Sequence, residues 1–327
     1  MSYRAELLGI IDELDGRLPR ICGLTGRLAS MEDGELTVWN HTAEIECSLR
    51  TSLPPSAELL AAASDPIADR EFTAFAAKCD GELWIVSSDF TTPAVRVAIP
   101  VDGAAFLPSG RLIATAPSAP REGKDFSESH RVILLDATGE VLDEAVVDAL
   151  DAAPYLLRHP ADAAVVCDFV MGQDGSLLTV MRDVDGRLDV QEVLRAEDLV
   201  TLSFSPLGDR VVFSPYPSDP ERAVVASWPT LTIDATLDAE AIELEMGFDI
   251  TGGHLSDDRI LLLAAEMGPV VVDRHLADAA LVEMVDLDDY VGDGFVESIA
   301  PLGAESFAAV LWDAGQRTTT VWHLVDR

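Results

Sequence analysis

Leu199-Val-Thr-Leu-Ser-Phe-Ser-Pro-Leu-Gly-Asp-Arg-Val-Val-Phe213 is the stretch of sequence that decides the fold. Two apolar runs rich in β-branched and aromatic residues flank a Pro-Leu-Gly-Asp turn, a pattern that predicts a β-hairpin. Two further β-like runs follow at Ala223–Trp228 and Leu231–Leu237. We therefore predict a unit of four antiparallel strands, called a, b, c and d in chain order.

The same unit recurs along the chain, and its a–b turn marks each copy. These turns are predicted at intervals of 41 to 52 residues, at Gly26, Asp69, Gly110, Asp162, Gly208, Asp258 and Gly303. A mean spacing of about 46 residues is close to that of the four-stranded blades of β-propellers. We therefore predict an all-β fold, a seven-bladed β-propeller with four-stranded antiparallel blades. The blades are expected at about 18–51, 57–100, 102–148, 153–195, 198–238, 248–287 and 294–327.

The seventh copy lacks a d strand of its own, because the sequence stops after strand c, predicted at Thr318–Leu324. The N-terminal segment, residues 1–17, contains the apolar run Ala5–Leu14, which could complete this blade and remove an open sheet edge. The same run also fits a helix, since its leucine and isoleucine residues follow a 3.6-residue period. We favour the closing strand.

Several motifs resemble those of WD-repeat propellers. Asp33-Gly-Glu-Leu-Thr-Val-Trp-Asn40 and Thr318-Thr-Thr-Val-Trp-His-Leu-Val-Asp326 are similar to the third strand of such repeats. Ser203–Phe213 is similar to their a–b hairpin, and Gly252-Gly-His254 to their opening Gly-His pair. No copy has the complete Gly-His to Trp-Asp pattern. The resemblance implies a rigid platform for protein partners, usually without catalysis.

The charge of the chain limits its partners. Its 58 acidic and 22 basic residues give a formal net charge of −36. Duplex nucleic acid and anionic membrane surfaces both require a basic face, so we expect neither as a partner. With 48% hydrophobic residues, the chain is too apolar to be disordered. The charge is expected mainly to keep the surface solvated, or else to present an acidic face to a basic partner.

Cysteine spacing and the N-terminal sequence predict a cytoplasmic protein. Cys22, Cys47, Cys79 and Cys167 are widely separated and lack the spacing of a metal site or a disulfide framework. There is no apolar run of membrane-spanning length, and the first residues do not resemble a signal peptide. We expect buried free thiols in a reducing compartment.

The sequence contains few residues that could support catalysis. It lacks a phosphate-binding loop, a dinucleotide fingerprint and a nucleophile elbow. A propeller enzyme would use polar residues of its a strands, here Arg158, Ser203, Ser205, Thr251, His254 and Glu297. A lactonase-type hydrolase would need several oxygen ligands for Ca²⁺, whereas Glu297 is the one plausible channel carboxylate. We predict no catalytic residues, no metal site and no cofactor, and keep this hydrolase as the alternative.

Two long b–c loops, at Pro117–His130 and Pro215–Glu221, suggest where a partner would bind. In a propeller, the b–c and d–a loops emerge on one face. Long loops on a rigid scaffold often carry binding residues, and aromatic and arginine side chains often anchor interfaces. The predicted partner-binding residues are Arg121, Lys124, Phe126, His130 and Tyr216.

A second candidate surface is acidic. Residues 234–297 contain 17 acidic and two basic residues. The predicted patch consists of Glu240, Glu243, Glu245, Asp286, Asp288 and Asp289, which could attract a basic protein. We therefore predict a non-catalytic protein-interaction platform that binds a protein partner through its b–c and d–a loops. An acidic inhibitor or immunity protein for a basic partner is a further alternative.

Overall fold

The structure is a computed structural model that describes residues 3–11, 14, 20–22, 27–65, 70–87, 93–120, 126–197, 199–215, 221–265, 267–287, 294–303 and 305–326. The chain is all-β, a seven-bladed β-propeller of four-stranded antiparallel blades, as the sequence predicted. Short 3-10 helices at Gly172–Asp174 and Ala239–Ile242 interrupt the strands.

Each of the first four blades is a separate four-stranded sheet in which sequence neighbours pair. The first contains β2 (Arg20–Cys22), β3 (Arg27–Glu32), β4 (Glu35–Trp39) and β5 (Ile45–Arg50). The second contains β6 (Glu58–Asp65), β7 (Arg70–Cys79), β8 (Glu82–Ser87) and β9 (Val95–Pro100). The third contains β10 (Gly103–Phe106), β11 (Leu112–Pro117), β12 (His130–Leu135) and β13 (Val141–Val147). The fourth contains β14 (Ala153–Arg158), β15 (Ala164–Val170), β16 (Ser176–Val184) and β17 (Arg187–Glu197).

The remaining three blades follow the same order of strands. The fifth, also a separate sheet, contains β18 (Leu199–Phe204), β19 (Arg210–Pro215), β20 (Arg222–Ser227) and β21 (Thr232–Asp238). The sixth contains β22 (Phe248–His254), β23 (Arg259–Ala264), β24 (Gly268–Asp273) and β25 (Ala279–Met284). The seventh contains β26 (Phe295–Gly303), β27 (Ser306–Asp313), β28 (Gln316–Asp326) and the N-terminal strand β1 (Tyr3–Ile11).

The N-terminal segment forms the closing strand, and the alternative helix is wrong. β1 pairs antiparallel with β28, with Tyr3 opposite Asp326 and Ile11 opposite Thr319. Its first residues also pair in parallel with β25, with Tyr3 opposite Val282 and Ala5 opposite Met284. β1 therefore joins the sixth and seventh blades into one eight-stranded sheet, a link that the sequence did not predict.

Tight turns with a specific chemistry join many strands. Asp33-Gly34, Asp80-Gly81 and Asp185-Gly186 each connect two strands with only two residues, and both residues of each pair have positive φ. A two-residue hairpin of this kind twists the strands in the direction a sheet prefers, and it favours aspartate followed by glycine. These dipeptides therefore fix the register of the strands on either side.

The chain forms two compact units. Unit 1 comprises Met1–Ser30, Thr37–Cys47 and Asp198–Arg327, and unit 2 comprises Met31–Leu36 and Ser48–Glu197. In unit 1, the core between the sixth and seventh blades includes Ala5, Leu261, Phe307 and Trp322, all fully buried. The core of unit 2 includes Cys167, a free thiol whose pKa is raised well above its ordinary value by burial.

Candidate functional site

Strand β22 of unit 1 has an irregular start that exposes polar and apolar side chains. Its pairing with β23 shifts between Phe248 and Gly252, so a bulge covers Asp249, Ile250 and Thr251. The buried Ser214 of β19 donates its hydroxyl to the carbonyl oxygen of Asp249. The Thr251 hydroxyl accepts the main-chain N–H of Ile299 at 3.3 Å. Bulges of this kind re-aim side chains and often lie beside functional sites.

The adjacent β26 contributes an aromatic pair and an ion pair. Phe295 lies opposite Trp312 in the register of β26 and β27, and the two ring centroids are 5.3 Å apart. Arg317 of β28 makes a two-pronged contact to Glu297, with Nε and Nη2 at 2.6 and 2.5 Å from the carboxylate oxygens. These hydrogen bonds lower the pKa of Glu297 and raise that of Arg317.

Asp249 is the group in this region with the least favourable electrostatic environment. Burial, and then the negative charge of nearby Glu297, raise its pKa above the ordinary value, although a hydrogen bond from the Ile250 N–H acts in the opposite direction. Within the described residues Asp249 has no ion-pair partner. Its carboxylate is therefore placed to gain from any cation that approaches.

Together these residues form a mixed surface on unit 1. We call it the Asp249 surface, and it consists of Asp249, Ile250, Phe295, Glu297, Trp312 and Arg317. Phe295 is 45% exposed two residues before Glu297 on β26, and Ile250 is 37% exposed directly after Asp249 on β22, so each carboxylate has an exposed apolar residue close to it along its strand. Such an arrangement can contact an apolar side chain and a cationic one at the same time.

Three of the polar residues predicted on the first strands of the blades, Ser203, Ser205 and His254, have structural partners. The Ser203 hydroxyl accepts the main-chain N–H of His254 at 2.6 Å and lies 2.9 Å from its Nδ1. Ser205 donates to Asp209 at 2.8 Å within the β18–β19 turn. Burial lowers the pKa of His254 to about 4, so the imidazole is neutral near pH 7. This network joins β18 to β22.

Gly253 explains why this network can be so compact. Its φ is +145°, and a Cβ atom at this position would lie 2.7 Å from Ser203 Oγ. Only glycine allows the β22 backbone to approach the Ser203 side chain this closely. The Gly252-Gly-His254 motif therefore has a packing role here.

The described residues do not bring together the ligands that a lactonase-type hydrolase would require. Both oxygens of Glu297, its one candidate ligand, are bonded to Arg317. No cluster of three or more histidine, cysteine, aspartate or glutamate residues suited to a metal ion occurs in the described ranges. Arg158, in unit 2, is partly buried, and burial lowers its pKa.

The predicted partner-binding residues of unit 2 have different environments. Phe126 is 37% exposed in the loop between β11 and β12. His130 is only 1% exposed, and its Nε2 is 3.1 Å from the Asp102 carboxylate, which also accepts the Thr115 hydroxyl. His130 is the first residue of strand β12. Because its side chain is buried, a partner cannot contact it directly. Arg121, Lys124 and Tyr216 lie outside the described residues.

The acidic patch is described only in part. Glu240, Glu243 and Glu245 are exposed on and after the 3-10 helix that follows β21, and Asp286 is exposed after β25. Asp288 and Asp289 lie outside the described residues, as do the predicted turn positions Gly26 and Asp69. Asp249 was missed because a single acid between Phe248 and Ile250 resembles an ordinary solvent-facing strand residue.

The fold is shared with known propeller structures. The chain matches the β-propeller domain of Cps50 (Swd1) from Myceliophteria thermophila with a TM-score of 0.60 and 11% identity, covering 97% of this chain and 99% of that one. It matches a chain of the mitotic checkpoint complex with a TM-score of 0.57 and 11% identity, over 99% and 91% of the two chains. The β-propeller domain of the trilobed protease from Pyrococcus furiosus matches with a TM-score of 0.55 and 12% identity, over 94% of each chain.

These similarities show the fold, and at such low identity they show no more than the fold. No family model matches the sequence, and no curated protein matches it. In the part of the chain that the structure describes, no helix has the length and apolar character needed to cross a membrane.

Proposed function

We propose that the chain is a non-catalytic protein-interaction module that binds a protein partner through its b–c and d–a connections. The observation that carries this proposal is the exposure of large apolar side chains at these connections in a strongly acidic protein. In unit 1, Met246 lies in the d–a connection before β22 and Met267 in the b–c connection before β24, and they are 54% and 48% exposed. Ile250 and Phe295, 37% and 45% exposed, lie near the starts of β22 and β26, which follow d–a connections. In unit 2, Phe126 occupies such a connection.

Two further observations support the proposal. Met246 and Met267 lie on neighbouring backbone, because the Ala265 N–H donates to the Gly247 carbonyl at 3.1 Å and the Met267 N–H to Ala264 at 3.2 Å. Methionine adapts its shape to different partners and is common at such surfaces. One of the chains that share this fold was solved within a multiprotein complex.

The test is a capture experiment with surface variants. The protein, a Met267→Ser/Phe295→Ser double variant and a Leu207→Ser control serve as baits in lysate of the source cells, with cross-linking and mass spectrometry. Leu207 is 71% exposed in an a–b turn of unit 1, so the control removes an apolar side chain elsewhere. We expect the native chain and the control to capture the same partner, and the double variant to lose it.

The opposite pattern would refute the proposal. Loss of the partner only in Leu207→Ser would place the interface at the a–b turns. Circular dichroism of all three baits separates lost binding from lost folding, because each substitution changes an exposed side chain.

The acidic inhibitor remains a second proposal, favoured by the acidic patch. Glu240, Glu243 and Glu245 are exposed, and none is ion-paired within the described part of the chain. A basic partner attracted by these charges would associate more slowly as salt rises, and a Glu240→Gln/Glu243→Gln/Glu245→Gln variant would reduce that salt dependence. Binding through apolar anchors would be much less sensitive to salt.

A further inference from the structure

We propose that the Asp249 surface binds a lysine or arginine side chain of a partner's extended segment, with an adjacent apolar side chain of that segment packed on Phe295. This inference rests on the proposed function, because it specifies what part of a protein partner the module recognises. The cation is recognised by Asp249, and the apolar group by Phe295, Trp312 and Ile250.

The charge balance of the surface favours a cation. It contains the two carboxylates of Asp249 and Glu297 and the single guanidinium of Arg317. Arg317 is committed to Glu297 through both Nε and Nη2, which leaves Asp249 without a counter-charge among the described residues. A lysine or arginine from a partner would restore neutrality and relieve the repulsion between the two carboxylates.

The partial burial of Asp249 increases the benefit of such a partner. A carboxylate removed in part from water has already lost some of its hydration, so a cation that pairs with it gains more than it would at a fully exposed acid. The exposed acids of the acidic patch lack this advantage, because surface ion pairs contribute little. Partial burial therefore makes Asp249 a better binding group for a cation than the exposed acids of the patch.

The aromatic pair provides the apolar half of the site. Phe295 and Trp312 are already in contact, so little side-chain freedom is lost when a partner covers Phe295. Aromatic side chains that border a charged group are frequent anchors of binding energy at interfaces. A segment with a basic residue beside an apolar one matches both halves.

The β22 bulge argues against recognition by strand addition. The Ser214 hydroxyl already donates a hydrogen bond to the Asp249 carbonyl oxygen, and the Asp249 carboxylate accepts the Ile250 N–H at 2.6 Å. These main-chain groups are therefore not available to form a ladder with a new strand. We therefore expect recognition at this bulge to depend on side chains.

The test is selection from a random 12-residue peptide library displayed on phage, in about 0.15 M salt so that long-range attraction to the net charge is screened. The baits are the native chain, Asp249→Asn, Phe295→Ser and the control Asp278→Asn. Asparagine at 249 keeps the acceptor for the Ile250 N–H, and Asp278 is an exposed acid in the turn between β24 and β25. Melting temperatures of all baits confirm that they are folded.

We expect the native chain and Asp278→Asn to enrich peptides with lysine or arginine beside an apolar residue. Synthetic copies of those peptides should bind Asp249→Asn and Phe295→Ser at least about tenfold more weakly, because each variant removes one half of the site.

Two results would overturn the inference. Peptides that bind Asp249→Asn as well as the native chain would show that the cation is not recognised here, and enrichment of no peptide would exclude an extended segment. In either case the proposed function would survive if the Met267→Ser/Phe295→Ser variant still loses its cellular partner. Both proposals would fail if that partner is lost only in the Leu207→Ser control.

Discussion

His254 lies 7% exposed between β18 and β22, with its Nδ1 bonded to the Ser203 hydroxyl. Its pKa is lowered from 6.5 to about 4, mainly by burial, so the folded chain holds it neutral where an unfolded chain would protonate it. The unfolded state therefore binds more protons between these two values. The contribution of His254 to stability must therefore fall as pH decreases from about 6.5 toward 4.

This dependence can be measured with a variant that cannot titrate. Between pH 7 and pH 5 the His254 contribution should decrease by about 2 kcal/mol. His254→Asn keeps a polar side chain near the position of Nδ1 and cannot titrate, so the difference in unfolding free energy between it and the native chain should change by that amount in urea titrations. Leu207→Ser, at an exposed position that carries no titrating group, serves as the control and should show a constant difference. A constant difference for His254→Asn would contradict the assigned environment.

His130 shows at the same scale why some residues could not be predicted from sequence. A histidine at the end of a Pro- and Ser-containing loop resembles an exposed loop residue. Its burial depends on Asp102 and on Phe169, whose ring centroid is 5.3 Å away, and both are distant in sequence. Sequence patterns describe neighbours along the chain, whereas this environment is formed by segments brought together by folding.

At the scale of elements, the strands were predictable where turn chemistry and apolar runs agreed. The b strand expected at Arg210–Ser214 is β19, Arg210–Pro215, and the one expected at Ser306–Trp312 is β27, Ser306–Asp313. The β22 bulge was not predictable, because it depends on the Ser214 hydroxyl from another sheet. The parallel pairing of β1 with β25 was also not predictable, because a repeat pattern describes the strands within one blade and this pairing links two blades.

β1 offers the sharpest test of an element's contribution. Ala5 is completely buried in the core of the sixth and seventh blades, whereas Leu8 on the same strand is 39% exposed. Ala5→Glu would bury a charge without a partner and should lower the unfolding free energy by about 3 kcal/mol or more. Leu8→Glu introduces the same side chain at an exposed position and should change it by less than about 1 kcal/mol. Urea unfolding of both variants measures these changes in unfolding free energy. Equal decreases in the two variants would argue against β1 as an integral strand.

At the scale of the whole molecule, the net charge of −36 opposes a compact state through self-repulsion. Salt weakens this repulsion, because the Debye length falls from about 30 Å at 0.01 M to about 10 Å at 0.1 M. The melting temperature should therefore rise by several degrees over this range, as measured by circular dichroism. A melting temperature that does not respond to salt would show that the acidic side chains are far enough apart to be solvated independently.

The pairing of β1 with β28 also means that β1 must wait during synthesis for its partner strand. About 300 residues separate Ile11 from Gln316, so β1 leaves the ribosome long before its antiparallel partner exists. At about 5–20 residues per second, that delay is tens of seconds. For most of this interval the apolar side of β1 has neither β28 nor β25 to cover it. Chaperones that hold nascent chains would therefore be expected to engage this strand first, and to release it only when the last blade has been made.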